Sequence, residues 1–205
     1  MRYGTASRLL LVVVGMALVH TRTEGASCDS SAAAQRFPSA KRAISAWEAS
    51  NKTRLLEPAK ERLLIDFCDA AVATAADPKN TPEKLESASE AAVKDYLDRE
   101  LDASSTPRTI AAALRSALGA SGFSRPALRK LGTVDIKGNG ERIKLSAEES
   151  ESKRTTREEH AAPVVLLLAP GKITVEPLTK DKACSWEGPV VVQAGATVVI
   201  RCVKP

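Results

Sequence analysis

The chain has 205 residues, a formal net charge of +5 and only 3% aromatic residues. Its 25 acidic residues are interleaved with its 30 basic residues, whereas proteins that bind nucleic acid concentrate Lys and Arg on one face. The composition therefore argues against a nucleic-acid partner. Two histidines are also too few for a histidine-rich zinc site.

The first 25 residues have the pattern of a secretory signal peptide. An apolar run over 9–19 follows Arg2 and Arg8, and Thr23 and Gly25 offer small residues at −3 and −1 to a cleavage site. This run is too short to cross a bilayer core of about 30 Å, so we expect no stable membrane anchor. We predict a secreted, extracellular protein whose mature chain begins near Ala26.

Four cysteines remain after the leader, and an oxidising compartment lets them pair. Cys28 lies close to Cys68 in sequence, and Cys184 lies close to Cys202, with more than a hundred residues between the two pairs. Four cysteines allow three connectivities, and the spacing favours pairing within each close pair. The sequence contains no Cys-x-x-Cys motif, which would indicate a redox role. We therefore predict two structural disulfides.

Residues 26–131 are predicted to form a helical part. Ala, Leu, Glu, Lys and Arg dominate this segment, and Pro or Gly separates its apolar stripes. Pro is favoured at the first position of a helix, where its missing N–H removes no hydrogen bond. The expected helices begin at a Ser39 cap, run over about 58–76, begin at Thr81-Pro82 and begin again at Thr106-Pro107, with a short helical turn over 126–131.

Residues 132–205 are predicted to form a β-rich part. Val134 and Ile136 alternate before Gly138-Asn139-Gly140, and a second alternating run follows, which predicts a hairpin. Residues 146–160 are charged or small and are predicted to form a mobile loop. The apolar run 164–168 predicts a central strand covered on both faces. Further strands are expected over 172–176 and over 189–203, the latter with a break at Ala194-Gly195.

These elements predict the α+β class. The expected arrangement has N-terminal helices packed on a C-terminal antiparallel β-sheet, with two disulfides, in one compact domain.

Candidate catalytic residues are scarce. His20 lies in the leader, and His160 lies in the predicted loop beside Glu159 without an apolar wall to hold it. The neighbouring acids Glu148-Glu149 and Glu158-Glu159 are expected to be solvated, because a flexible loop cannot hold two carboxylates at a fixed separation. We expect a non-enzymatic protein without catalytic residues, a metal or a cofactor.

Two shorter motifs lie on predicted connections. Asn51-Lys52-Thr53 is an acceptor sequence for N-glycosylation, which predicts a possible glycan at Asn51. Lys153-Arg154 in the predicted loop is a candidate site for a trypsin-like processing protease.

The last third of the chain resembles the sporozoite surface antigen family of coccidian parasites. The resemblance rests on an apolar strand bounded by Pro163 and Pro170, then Lys182-Ala183-Cys184, then a closing strand with Cys202 before a final proline. It implies a small α/β sandwich that is displayed on a parasite surface and contacts host cells. The family's middle cysteine pair and the hydrophobic tail of a GPI anchor are missing, so a soluble member is expected. No catalytic residue carries over.

The leading hypothesis is a secreted, disulfide-stabilised surface antigen or effector-like protein that acts by binding a protein partner, which could be host-derived. One alternative is a protease inhibitor that presents residues 148–159, where Lys153, Arg154 and Arg157 could enter a trypsin-like pocket. Inhibitory loops are usually braced by a nearby disulfide, and neither predicted pair encloses this segment. The other alternative is a secreted enzyme of unfamiliar type.

Overall fold

A computed structural model describes residues 28–120, 127–178, 185–186 and 188–203. These residues form a mixed helix and sheet structure, as the sequence predicted. The helices are α1 (Ser30–Arg36), α2 (Pro38–Asn51), α3 (Glu57–Ala75), α4 (Pro82–Leu101) and α5 (Ile110–Ala117). The strands are β1 (Thr53–Leu55), β2 (Gly132–Lys137), β3 (Arg142–Glu149), β4 (Thr155–Ala161), β5 (Val164–Leu168), β6 (Gly171–Pro177), β7 (Ser185–Trp186), β8 (Val190–Val192) and β9 (Thr197–Val203).

The caps confirm some of the predicted helix starts and correct others. The side chain of Thr81 accepts a hydrogen bond from the Lys84 N–H at 3.3 Å, so α4 begins where the Thr-Pro motif predicted. Ser39 is not a cap, because it lies inside α2 and its hydroxyl donates to the Glu86 carbonyl at 3.1 Å. The cap of α5 is Thr109 rather than Thr106.

The segment around Thr106 stays outside α5 because α4 binds it. Arg99 donates to the Thr106 carbonyl at 3.2 Å, and Arg108 forms an ion pair with Asp95 at 3.2 Å. The prediction of a helical turn near 126–131 is also wrong, since 127–131 has no helix, and residue 126 lies outside the described residues.

The strands form two sheets instead of the single antiparallel sheet that we expected. The order of the five-stranded sheet is β1-β5-β2-β9-β7, and it is mixed because β1 runs parallel to β5 and β2 runs parallel to β9. The four-stranded sheet has the order β4-β3-β6-β8 and is antiparallel. Strand β1 comes from within the predicted helical part and was not predicted.

The predicted hairpin of β2 and β3 does not form. Residues 138–141 carry the chain from the five-stranded sheet to the four-stranded one, where β3 pairs with β4 and β6. Val134 and Ile136 nevertheless share a buried cluster with Ile143 and Leu145. The alternation of apolar residues therefore identified the buried residues of β2 and β3 correctly. It did not identify which strands pair, because it reports only which residues face a core.

Residues 146–160 are not a mobile loop. They comprise the end of β3, a tight turn and most of β4, with Ser146 opposite Arg157 in the antiparallel register. The polar sequence of β4 arises from its position, because it lies at the edge of its sheet and carries no core residue. Charged side chains are common on edge strands.

Strand β5 contributes to two buried clusters. Leu167 is fully buried in the cluster that contains the apolar residues of the helices. Leu166 and Leu168 lie in the second cluster, between the two sheets. Alternate residues of one apolar strand thus serve both clusters, as expected for a strand that is buried on both faces.

The predicted disulfide between Cys28 and Cys68 is present and links the residues before α1 to the middle of α3. The predicted pair of Cys184 and Cys202 includes a cysteine outside the described residues, so this pair stays a prediction. The predicted signal peptide, 1–25, also lies outside them. No helix in the described part of the chain is long and apolar enough to cross a membrane.

Candidate binding cleft

A cleft of about 550 Å³ lies where an edge strand of one sheet approaches an edge strand of the other. We call it the β1–β4 cleft. Helix α2 contributes Glu48 and Ala49 to its lining, and Arg54 comes from β1. Strand β4 lines the cleft with Glu159, His160 and Ala161, and the start of β5 adds apolar surface from Pro163 and Val164.

The β4 wall of the cleft has unpaired backbone groups. The Glu149 N–H donates to the Arg154 carbonyl, and the Ala162 N–H donates to the Glu141 carbonyl. Hydrogen-bonded pairs alternate along an antiparallel ladder, so residues 156, 158 and 160 bond to β3. The N–H and C=O groups of 157, 159 and 161 point the other way, where no described strand pairs with β4.

On the β1 wall, the side chain of Glu48 occupies an outward-facing backbone N–H group. The Leu55 N–H donates to Oε1 of Glu48 at 2.8 Å, and Nζ of Lys60 lies 3.2 Å from the same oxygen. Lys60 also pairs with Glu57 at 2.9 Å. Burial lowers the pKa of Lys60, but the two carboxylates outweigh it and raise this pKa above its ordinary value. The two sheet edges at the cleft therefore differ, because Glu48 occupies the outward N–H of Leu55 on β1, whereas residues 157, 159 and 161 of β4 have no strand partner in the described residues.

Two cations at the cleft, Lys52 and Arg54, stand out by their lack of an acidic partner among the described residues. Neither Lys52 nor Arg54 makes an ion pair with an acidic residue in the described parts of the chain, and both are exposed. The acids in the lining are already paired, Glu48 with Lys60 and Glu159 with Arg142 at 3.0 Å. The unpaired charge of the cleft is therefore positive.

Lys52 has an unusual backbone conformation. It is the C-cap of α2 with φ 51° and ψ 32°, in the left-handed region, and its N–H donates to the Glu48 carbonyl. Glycine is the usual residue at a left-handed helix end, because a Cβ atom is disfavoured there. A lysine at this position carries a conformational cost that glycine would avoid.

His160 is not the solvated loop residue that the sequence suggested. Its side chain is only 8% exposed, and its Nε2 lies 3.3 Å from Oε2 of Glu158. Oε1 of Glu158 accepts the Glu57 N–H at 3.0 Å, so this carboxylate from β4 caps the first turn of α3. Burial raises the pKa of Glu158, but His160, the Glu57 N–H and Lys60 outweigh it and lower this pKa. Ser45 in the lining donates to the Lys41 carbonyl at 3.4 Å and is not bonded to His160.

A second cleft of about 650 Å³ lies beside α3, β3 and residues 127–130. Arg62 pairs with Glu149 and Lys130 pairs with Asp66 at 2.9 Å, while Arg129 donates to backbone carbonyls and Glu151 makes no ion pair in the described residues. These ion pairs join α3 to the sheet and to the segment before β2.

The other predicted site residues lie on ordered elements. Asn51 is the last residue of α2, where its Nδ2 donates to the Trp47 carbonyl at 3.0 Å, and Thr53 is buried. A glycan at Asn51 stays a prediction. Lys153 lies in the turn between β3 and β4, and Arg154 is held by Glu61 of α3 at 2.7 Å.

The sequence analysis did not identify Lys52 and Arg54, which line the cleft. Lys52 was visible only as the middle of the glycosylation motif, and Arg54 lies in a strand that no pattern indicated. No group of three or more His, Cys, Asp or Glu side chains within the described ranges could hold a metal ion.

Comparison with known proteins found no matching family model, no matching curated protein and no matching solved structure. The resemblance to the coccidian surface antigens therefore stays a prediction.

Proposed function

We propose that the protein is an extracellular, disulfide-stabilised, non-enzymatic protein that acts by binding a protein partner at the β1–β4 cleft. The observation that carries this proposal is the free backbone edge of β4 along one wall of the cleft. Addition of an extended segment to an exposed sheet edge is a recurring mode of peptide recognition.

The surroundings of this edge suit a peptide. The cleft volume of about 550 Å³ lies within the usual range of ligand sites. Pro163 and Val164 offer apolar contacts for side chains, while the backbone of Glu159 and Ala161 offers hydrogen bonds for a main chain. On the opposite wall, the contact of Glu48 with β1 holds α2 in place. One face of the cleft is thus open to pairing and the other is braced.

The extracellular part of the proposal rests on the predicted leader and on the Cys28–Cys68 disulfide. Disulfides persist in oxidising compartments and are rare in the cytosol. Display as a surface antigen, or action as an effector on a host protein, rests on the family resemblance alone.

Selection from a random dodecamer peptide library tests the proposal, with two matched variants of α2. Ala49 and Ala46 are both exposed on this helix, but only Ala49 lines the cleft. We expect the wild type to select peptides, Ala49→Trp to weaken their binding about tenfold or more, and Ala46→Trp to leave it unchanged. Failure to select any peptide, or equal binding by Ala49→Trp, would contradict the proposal. Far-UV circular dichroism of both variants is the control for folding, and both spectra should match that of the wild type.

Intact mass spectrometry tests the extracellular part. Protein secreted by a eukaryotic host should begin near Ala26 and should weigh four hydrogens less than its reduced form, because two disulfides are expected. A retained leader or free thiols would contradict it.

A further inference from the structure

The charges of the β1–β4 cleft indicate which class of segment would bind there. Lys52 and Arg54 line the cleft without an acidic partner in the described residues, whereas the lining acids Glu48 and Glu159 have cationic partners. A ligand that brings carboxylates can pair with both cations without breaking an existing ion pair. A ligand that brings cations would have to compete with Lys60 and Arg142 for those acids.

The backbone of Lys52 supports a role for its side chain. In the left-handed region a residue with a Cβ atom is disfavoured relative to glycine, yet a lysine occupies φ 51° here. The lysine side chain extends from the C-terminal end of α2, where glycine would adopt the same backbone conformation at a lower free-energy cost. Strained positions of this kind tend to occur at ligand sites.

We propose that the partner segment is acidic and extended, with its backbone added to the free edge of β4 and its carboxylates bound by Lys52 and Arg54. This inference rests on the proposed function of the cleft. A segment that pairs with the outward N–H and C=O groups of Glu159 and Ala161 lies in the same 550 Å³ space as the two cations. In a strand, alternate residues face the same side, so acidic residues two positions apart can face Lys52 and Arg54 together.

A peptide fits the cleft better than a sulfated glycan or another polyanion does. Binding to polyanions relies on many cations that displace counterions, and this lining offers two unpaired ones. Pro163 and Val164 add apolar surface that a polyanion would not use. The backbone groups of the β4 edge also match a peptide main chain.

The test repeats the dodecamer selection on two double variants with the same change of net charge. Lys52→Gln with Arg54→Gln removes the cleft cations, and Lys41→Gln with Lys79→Gln removes two exposed lysines that do not line the cleft. The wild type and the control should enrich peptides with Asp or Glu at alternate positions. The cleft variant should lose this preference and should bind the acidic peptides about tenfold more weakly.

A backbone scan of the best acidic peptide tests strand addition. N-methylation removes one donor at a time, and methylation at every second residue should weaken binding while the intervening positions tolerate it. The absence of a two-residue period would overturn the placement on β4. A sulfated heparin fragment that binds at the cleft more tightly than every selected peptide would overturn the peptide class.

The outcomes separate this inference from the proposed function. If neutral or basic peptides are enriched and Ala49→Trp still blocks them, the acidic partner is wrong and the cleft stands as a peptide site. If no peptide is enriched, both proposals fail together.

Discussion

Replacement of Lys52 by glycine should make the protein more stable. The residue adopts φ 51° and ψ 32° at the C-cap of α2, a conformation that costs a residue with a Cβ atom roughly 1–2 kcal/mol. Glycine removes this cost but gives the unfolded chain more freedom, which offsets about 0.4–1 kcal/mol. The expected net gain in the free energy of unfolding is about 0.5–1 kcal/mol, or a rise in Tm of roughly 1–4 °C.

Lys52→Ala is the matched control, because alanine removes the charged side chain and keeps the Cβ atom. Its free energy of unfolding should stay within about 0.5 kcal/mol of the wild type. Urea titration followed by tryptophan fluorescence measures both variants, since Trp47 is 3% exposed in the fold. The difference between the glycine and alanine variants isolates the backbone contribution from that of the side chain.

A Lys52→Gly variant that is less stable than Lys52→Ala would refute this reasoning. That result would mean that the cost of the left-handed conformation at this helix end is smaller than the conformational freedom that glycine adds to the unfolded chain. The binding prediction gives an independent comparison, because Lys52→Gly should also weaken the preference for acidic peptides. Gain of stability together with loss of binding is the result expected for a residue retained for its ligand.

Four further predictions concern the rest of the fold. Replacing Cys28 and Cys68 by Ala opens a crosslink across 40 residues and should cost about 4 kcal/mol on the loop-entropy model; a loss below about 1 kcal/mol in urea would contradict it. Leu167→Ala removes a fully buried side chain and should cost about 2–5 kcal/mol by thermal unfolding, whereas Leu167→Met should cost less than about 1.5 kcal/mol. Burial raises the pKa of Glu100 above its ordinary value, despite opposing hydrogen bonds from the backbone. The folded state therefore binds this proton more tightly than the unfolded state does, and the free energy of unfolding falls as pH rises from about 4 through the folded pKa. Glu100→Gln should therefore reduce the decline of stability over that range, and equal pH profiles would count against the assignment. The turn over 150–154 joins two paired strands, so trypsin should cut it no faster than the protein unfolds; an early fragment ending at residue 153 or 154 by mass spectrometry would show the opposite.

Helices α3 and α4 and one disulfide could be predicted because their signals lie close together in the sequence. A Thr side chain and the following Pro determined the start of α4 within a few residues, and the apolar stripe of α3 located that helix to within one residue at each end. Cys28 and Cys68 are close enough in sequence for their pairing to be the simplest connectivity. None of these predictions required knowledge of a distant segment.

Strand pairing was predicted poorly because the pattern that marks a strand does not identify its neighbour. Val134 and Ile143 both face the space between the sheets, and the sequence pattern is the same whether their strands pair or pack face to face. Strand β4 had no apolar alternation, because its inward residues Glu158 and His160 contact charged groups rather than a core. Polar composition at an edge was therefore interpreted as a loop.

Local signals in the sequence were sufficient to locate α3, α4, the apolar residues of the central strand and the first cysteine pair, since each depends on residues nearby in the chain or on composition. The candidate site, in contrast, depends on how distant segments pack. The tertiary structure brings Lys52 and Arg54 beside a free strand edge more than a hundred residues away in sequence, and it pairs Glu48 and Glu159 with cations elsewhere. Which charges stay unpaired depends on distances between segments, and those distances exist only in the folded chain.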